Sequence, residues 1–139
     1  MKLERITYTD YYGEERTEDF YFNLTTAEIT EMNLMTTGGM DKQLQKIYDA
    51  KDVPKAMSFF KNLILKSYGE KSADGRRFIK SDDISEEFAQ TEAYSILFMR
   101  LISEEHAGEE FIKGVIPKDL AAKMSEMEAN GTLPDALKK

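Results

Sequence analysis

Apolar and polar residues alternate at the start of the chain, then give way to a helical period. In residues 3–9, Ile6 and Tyr8 sit between polar neighbours. Residues 15–24 place Phe20 and Phe22 in the same way, so both stretches read as strands. Asp10-Tyr11-Tyr12-Gly13 between them is a turn signal, with Gly13 able to take positive φ. The pattern predicts an antiparallel hairpin over residues 3–24. Two strands alone are marginal, so the hairpin must pack on helices or pair with another chain.

From residue 25 onward the apolar positions recur every three or four residues. Thr25-Thr26-Ala27-Glu28 matches a capping box, and Ile29, Met32 and Met35 give the short helix after it one apolar face. Thr36-Thr37-Gly38-Gly39 breaks it, and Met40, Leu44, Ile47 and Tyr48 make a second short helix. Asp52-Val53-Pro54 starts a third, with Met57, Phe60, Leu63, Ile64 and Tyr68 in its stripe and Gly69 just past its end. Residues 70–80 read as a loop turning at Asp74-Gly75, pinned to the core by Phe78 and Ile79. Ser81 caps what should be the longest helix, to about Ile102, with Ile84, Phe88, Thr91, Ser95, Phe98 and Ile102 in one stripe and Leu97, Leu101 and Tyr94 widening it. Ser103 is expected to cap a further helix ending near Gly114. Pro117 opens the last, with Leu120, Met124 and Met127 on one side and Asn130-Gly131 as its stop.

The fold class expected is α+β, mostly α: an N-terminal antiparallel β-hairpin followed by a five- to six-helix compact domain. A single domain should span residues 1–131, with the hairpin at 3–24, the helical part at 26–131 and a flexible C-terminal tail at 132–139.

Composition narrows the function. With 139 residues, 41% apolar and 32% charged, the chain can build a core without staples. No cysteine is present, which excludes disulfides and thiolate metal sites, and the single histidine, His106, excludes a multi-histidine site within one chain. The N-terminus MKLERITYTD lacks the apolar core of a signal peptide, and no apolar run suits a membrane span. A net charge of −7 disfavours nonspecific binding to nucleic acid or anionic lipid.

Candidate chemistry is sparse. His106 could face Glu109 or Glu110, yet exposed pairs of this kind are common and weak. No phosphate loop, calcium loop, nucleophile–base pair or metal constellation is legible, so an enzyme is not expected, and no cofactor. Lys71, Arg76, Arg77 and Lys80 form a basic group within residues 70–80. They suit ion pairs with Asp74, Asp82 and Asp83, an acidic partner or a phosphate. Nucleic acid is the weaker reading, since such sites need broader patches. Tyr11, Tyr12 and Tyr21 can remain exposed on the hairpin, and exposed aromatics mark interfaces. Eight Met suit either helix cores or adaptable binding surfaces.

Four strings carry more than composition does. They are Tyr8-Thr9-Asp10-Tyr11 before Gly13; Phe20-Tyr21-Phe22-Asn23-Leu24-Thr25; and Ser67-Tyr68-Gly69-Glu70-Lys71-Ser72 running through Asp74-Gly75-Arg76-Arg77-Phe78, with Phe88-Ala89-Gln90-Thr91-Glu92-Ala93-Tyr94 beyond. Over about residues 3–117 the chain resembles the tail assembly chaperones of long-tailed, siphovirus-type bacteriophages. The resemblance implies a non-enzymatic protein of the host cytoplasm. It would bind the tape measure protein, keep it soluble, help recruit tail tube subunits and be absent from the finished particle, often with a longer frameshifted form. It supplies no catalytic or binding residues to carry over. The residues best suited to a helical partner are Met32, Met35, Met40, Met124 and Met127, with Tyr11 and Tyr12 on the hairpin. Homo-oligomers are compatible with the pattern, and a membrane partner is not expected. The competing reading is a virion structural component, a tail or head-completion protein assembling through its hairpin.

Overall fold

The computed structural model describes residues 1–35, 40–104 and 106–117, without the side chains of residues 33–35, 40, 41, 44 and 48. Strands β1 (Lys2–Thr9) and β2 (Glu15–Phe22) pair antiparallel, with Arg5 opposite Asp19 and Ile6 opposite Glu18. Alternation sorts the two faces. Ile6, Phe20 and Phe22 turn inward and are buried. On the outer face the Arg5 guanidinium donates to both Asp19 oxygens at 2.7 and 3.1 Å, and Thr7 bonds Thr17 at 2.8 Å. Tyr8 donates its hydroxyl to Glu18, and that bond, with burial, pushes the phenol up to about 12.

The sheet extends beyond the expected hairpin. β3 (Tyr68–Lys71) pairs with β2 through Tyr21 and Gly69, and β4 (Phe78–Ile79) pairs with β3, giving an antiparallel sheet in the order β1-β2-β3-β4. Residues 70–80 are therefore not a loop but a second hairpin. Its turn is made locally. The Ser72 hydroxyl donates to Asp74 at 2.7 Å, the same carboxylate accepts from the Arg76 N–H at 3.0 Å, and Gly75 takes φ of +74°. Strands of four and two residues are too short for alternation to betray them.

Six helices are described: α1 (Thr26–Met35), α2 (Met40–Asp49), α3 (Val53–Ser67), α4 (Asp82–Ala89), α5 (Glu92–Ser103) and α6 (Ala107–Val115). With the hairpin they make the fold α+β and mostly α, as expected. The capping box holds: the Glu28 carboxylate accepts from the Thr25 N–H at 2.9 Å, and the Glu28 N–H donates to the Thr25 hydroxyl at 3.2 Å. Asp52 caps α3 by accepting from the Lys55 N–H at 3.1 Å.

The long helix expected from Ser81 to Ile102 is two helices, and the longest described is α3, at 15 residues. Thr91 makes the break. Its hydroxyl donates to the Phe88 carbonyl at 2.7 Å and accepts from the Tyr94 N–H at 3.3 Å, closing one helix and opening the next. Spacing alone placed Thr91 in an apolar stripe. In α5 the buried residues are Ala93 and the expected Leu97 and Leu101, while Ser95 is exposed. Thr91→Ala should cost about 1 kcal/mol, the usual worth of an N-cap, in a urea unfolding titration. A loss under about 0.3 kcal/mol would mean that the break does not depend on this cap.

Ser103 is not the cap of α6. Its hydroxyl donates back to the Met99 carbonyl at 2.6 Å, and His106, at φ 66°, begins the helix without a side-chain cap. Helices α5 and α6 close over the inner face of the sheet. Ile6, Phe20, Phe22 and Leu24 meet Phe60, Leu63 and Ile64 of α3, Phe88 of α4, Leu97 and Leu101 of α5, and Phe111 and Val115 of α6 in one buried cluster.

Candidate partner-binding groove

Helix α3 carries more apolar residues than its buried stripe needs. Phe60, Leu63 and Ile64 face the core, while Phe59 and Leu65 point to another side and are half-buried. That second face, with Leu24 and Met32, floors an open groove of about 900 Å³ walled by α1 and α4. Ala89 stands at the far end of the α4 wall. The rim is charged in both signs, with Glu28, Glu31, Asp82 and Glu86 against Lys61, Lys66 and Lys80.

Two bonds fix the walls. The Ser85 hydroxyl donates to the Leu65 carbonyl at 2.8 Å, tying α4 to α3. Lys80 donates to the Asn23 carbonyl at 2.9 Å and pairs with Glu28, tying the start of α4 to α1. Burial would push the Glu28 carboxyl up, but the Lys80 ammonium and the Thr25 N–H together hold it below its ordinary 4.5. A depressed carboxylate stabilises the fold fully above pH 4.5 and loses that contribution as pH falls through the lower, folded value. Lys80→Met should therefore show its deficit at pH 7, on the order of 1 kcal/mol for a pair still partly open to solvent. The deficit should narrow below pH 4.5, measured as urea stability against pH. A deficit constant down to pH 3 would mean that the pair contributes nothing through charge.

The basic group of residues 70–80 is dispersed. Lys80 belongs to the groove and pairs with Glu28, not with the expected Asp82 or Asp83. Lys71 lies 4.2 Å over the Tyr21 ring on the outer face of the sheet. Arg76 and Arg77 are exposed at the second hairpin, and no ion pair joins either to Asp74 among the described residues. His106 does face Glu109, at 3.7 Å, and Lys113 approaches the same carboxylate at 3.1 Å. Among the described residues no group of three or more acidic or histidine side chains could hold a metal.

Of the residues singled out for a partner, Met32 lines the groove. Tyr11 and Tyr12 stand at the tip of the first hairpin, 77% and 95% exposed, outside the groove lining. Tyr11 only nears the α4–α5 junction, its hydroxyl 3.4 Å from the Gln90 carbonyl. Met35 and Met40 end α1 and begin α2, with side chains outside the described set, and Met124 and Met127 lie outside the described residues. Sequence reasoning missed Phe59, Leu65 and Ala89. The signal was there for the first two: apolar residues off the buried stripe of α3 mark a helix with two covered sides.

The open groove, with its apolar floor and a rim of both charges, has the form of surface on which an amphipathic helix can lie. The family of phage tail assembly chaperones matches the chain over residues 1–137, and the chain belongs to that family. No curated protein and no solved structure matches the chain. Membership indicates a non-enzymatic role in bacteriophage tail assembly, with phage tail proteins as partners. No described helix is long and apolar enough to cross a membrane.

Proposed function

We propose that the protein, acting in the host cytoplasm as a single domain over residues 1–131, binds a helical segment of the tape measure protein in the groove between α1 and α4. It thereby keeps the tape measure protein soluble while tail tube subunits are recruited. The groove carries this reading. Its apolar floor of Leu24, Met32, Phe59, Leu63 and Leu65 suits the stripe of an amphipathic helix, and its rim of both signs suits the flanking charges. Met35, at the end of the helix that carries Met32, and Met40, at the start of α2, are further candidates for the partner, and Tyr11 and Tyr12 would serve a second contact at the hairpin tip. The exposed Arg76 and Arg77, with Lys71, are the residues left for an acidic partner.

The test is co-expression with the tape measure protein of the same genome, followed by pull-down. The tape measure protein should become soluble and co-purify. Ala89→Arg, which fills the end of the groove, should weaken capture about tenfold or more while leaving the fold intact. A second reading, a virion structural component assembling through its hairpin, is favoured by one observation: β1 forms an edge of the sheet. An insoluble, unbound tape measure protein, together with this chain in purified particles, would replace the first reading by the second.

A further inference from the structure

The first strand borders the sheet with its hydrogen-bonding side open. The Asp10 N–H donates to the Glu14 carbonyl at 2.8 Å. Alternation along the hairpin therefore turns the backbone of Glu4, Ile6 and Tyr8 toward β2 and that of Leu3, Arg5, Thr7 and Thr9 away from it. Among the described residues β1 pairs with β2 alone, and no backbone hydrogen bond outside that ladder reaches residues 2–9. Edges are kept from pairing by shortness, proline, bulges or unspent charge. β1 is eight residues long, contains no proline and runs in unbroken register with β2 from Lys2 to Thr9. Its charges are spent within the molecule: Arg5 on Asp19, and Glu4 on Arg100 at 3.5 Å and Lys2 at 3.9 Å. Exposed apolar residues stand at the same border, Leu3 on the outer face and Ile96 and Met99 beside Arg100 on α5.

We propose that a second copy of the chain occupies this edge, β1 against β1, antiparallel about a two-fold axis at Ile6. The strand's own sequence selects the occupant and the register. Inner face continues into inner face only if the axis passes through a residue, not between two. An axis at Arg5 sets that arginine against itself, one at Glu4 does the same with a carboxylate, and one at Thr7 sets Glu4 opposite Asp10. An axis at Ile6 sets Arg5 opposite Thr7, Leu3 opposite Thr9, Glu4 opposite Tyr8 and Lys2 opposite Asp10, so no like charges face each other. It also brings the outward groups of Leu3, Arg5, Thr7 and Thr9 into up to about eight backbone hydrogen bonds. Such a pair is closed, because it uses β1 in both copies and the far edge, β4, is only two residues long. No residue of β1 or α5 lines the α1–α4 groove, so the pair leaves both grooves open. Two linked grooves would hold two segments of one partner; that consequence rests on the proposed function, and the pairing itself does not.

Sedimentation equilibrium of the full chain, from low to high micromolar concentration, tests the pairing. The wild type should pass from monomer to dimer without larger species. Thr7→Pro removes an outward N–H, spares the ladder to β2 and should weaken the dimer about tenfold or more. Thr7→Lys, which stands opposite Arg5 of the second copy, should do the same, whereas Thr7→Glu should hold or tighten the pair. Circular dichroism checks that each variant is folded. A monomer throughout the range would overturn the proposal, and so would a dimer untouched by both the proline and the lysine. Because a proline can disturb the hairpin, crosslinking supplies a separate reading. The chain has no cysteine, so a single introduced one reports without background. Thr7→Cys treated with a short bismaleimide should link two copies, and Arg76→Cys, at the second hairpin, should link about tenfold less. Equal yields would overturn the proposal. Both measurements use this chain alone, so their failure stays distinct from failure of the tape measure reading.

Discussion

Phe88→Ala is expected to destabilise the protein by about 4 kcal/mol, the cost of deleting a large buried ring that its surroundings cannot refill. Phe88 is only 3% exposed and sits at the centre of the aromatic core. The Tyr68 ring stacks on it at 4.3 Å and 13°, Phe20 and Phe22 pack at 5.1 and 5.7 Å, and Tyr94 meets its edge at 5.9 Å. These rings come from β2, β3, α4 and α5, so the cavity would open where sheet and helices meet and no single element could close it. Urea unfolding by circular dichroism measures the loss. Phe88→Leu, which keeps most of the volume, should cost less than half as much. A loss under about 1 kcal/mol for the alanine variant would be incompatible with this packing.

The second large effect is expected from a side chain added where none fits. A Cβ at Gly69 would lie 2.6 Å from the Phe78 ring, 2.8 Å from the Ile79 carbonyl oxygen and 2.8 Å from the Lys80 Cγ. Gly69 follows the end of α3 as the sequence suggests, yet it does not take positive φ there. What requires glycine is the approach of β4, which brings backbone against it. A ring or a lysine methylene can turn aside; the carbonyl oxygen moves only with its strand. Gly69→Val should therefore cost about 3 kcal/mol, at the upper end of overpacking, and Gly69→Ala somewhat less. Lys80 follows directly on β4, so the same variants should also loosen the Glu28 pairing that joins the groove walls. Hydrogen exchange in α1 should rise with the loss of stability. Retention of wild-type stability in Gly69→Val would show that β4 does not lie this close.

The parts of the fold legible in the sequence are those written in local chemistry. Ile6, Phe20 and Phe22 alternate, Thr25 and Glu28 cap reciprocally, and Asp52 with Pro54 starts α3; each is a relation between residues a few positions apart. The extension of the sheet was not legible, because Gly69 meets Tyr21 across 48 residues and neither β3 nor β4 is long enough to show a period. Thr91 was misread because its position in the repeat is right for an apolar stripe, while its hydroxyl has a stronger local use. The groove was half legible. Met32 could be chosen from the face it shares with Ile29, but Leu24, Phe59 and Ala89 converge only once α1, α3 and α4 are packed. Lys80 carries the same lesson, since its partner Glu28 lies on an element whose approach no spacing rule foretells.

The route of the chain also sets a timetable for synthesis. The first hairpin is complete by Phe22, whereas its inner face is covered by Leu97, Leu101, Phe111 and Val115. A ribosome adding about 5–20 residues per second needs roughly 5 to 20 seconds to reach Val115 after finishing β2. For that interval Ile6, Phe20 and Phe22 have only α3, β3 and α4 to rest against, and the closing Leu24–Val115 hydrogen bond cannot form until Val115 has been added. Completion of the core thus waits for α6, and a ribosome stalled within α5 would hold a hairpin whose inner face is only partly covered.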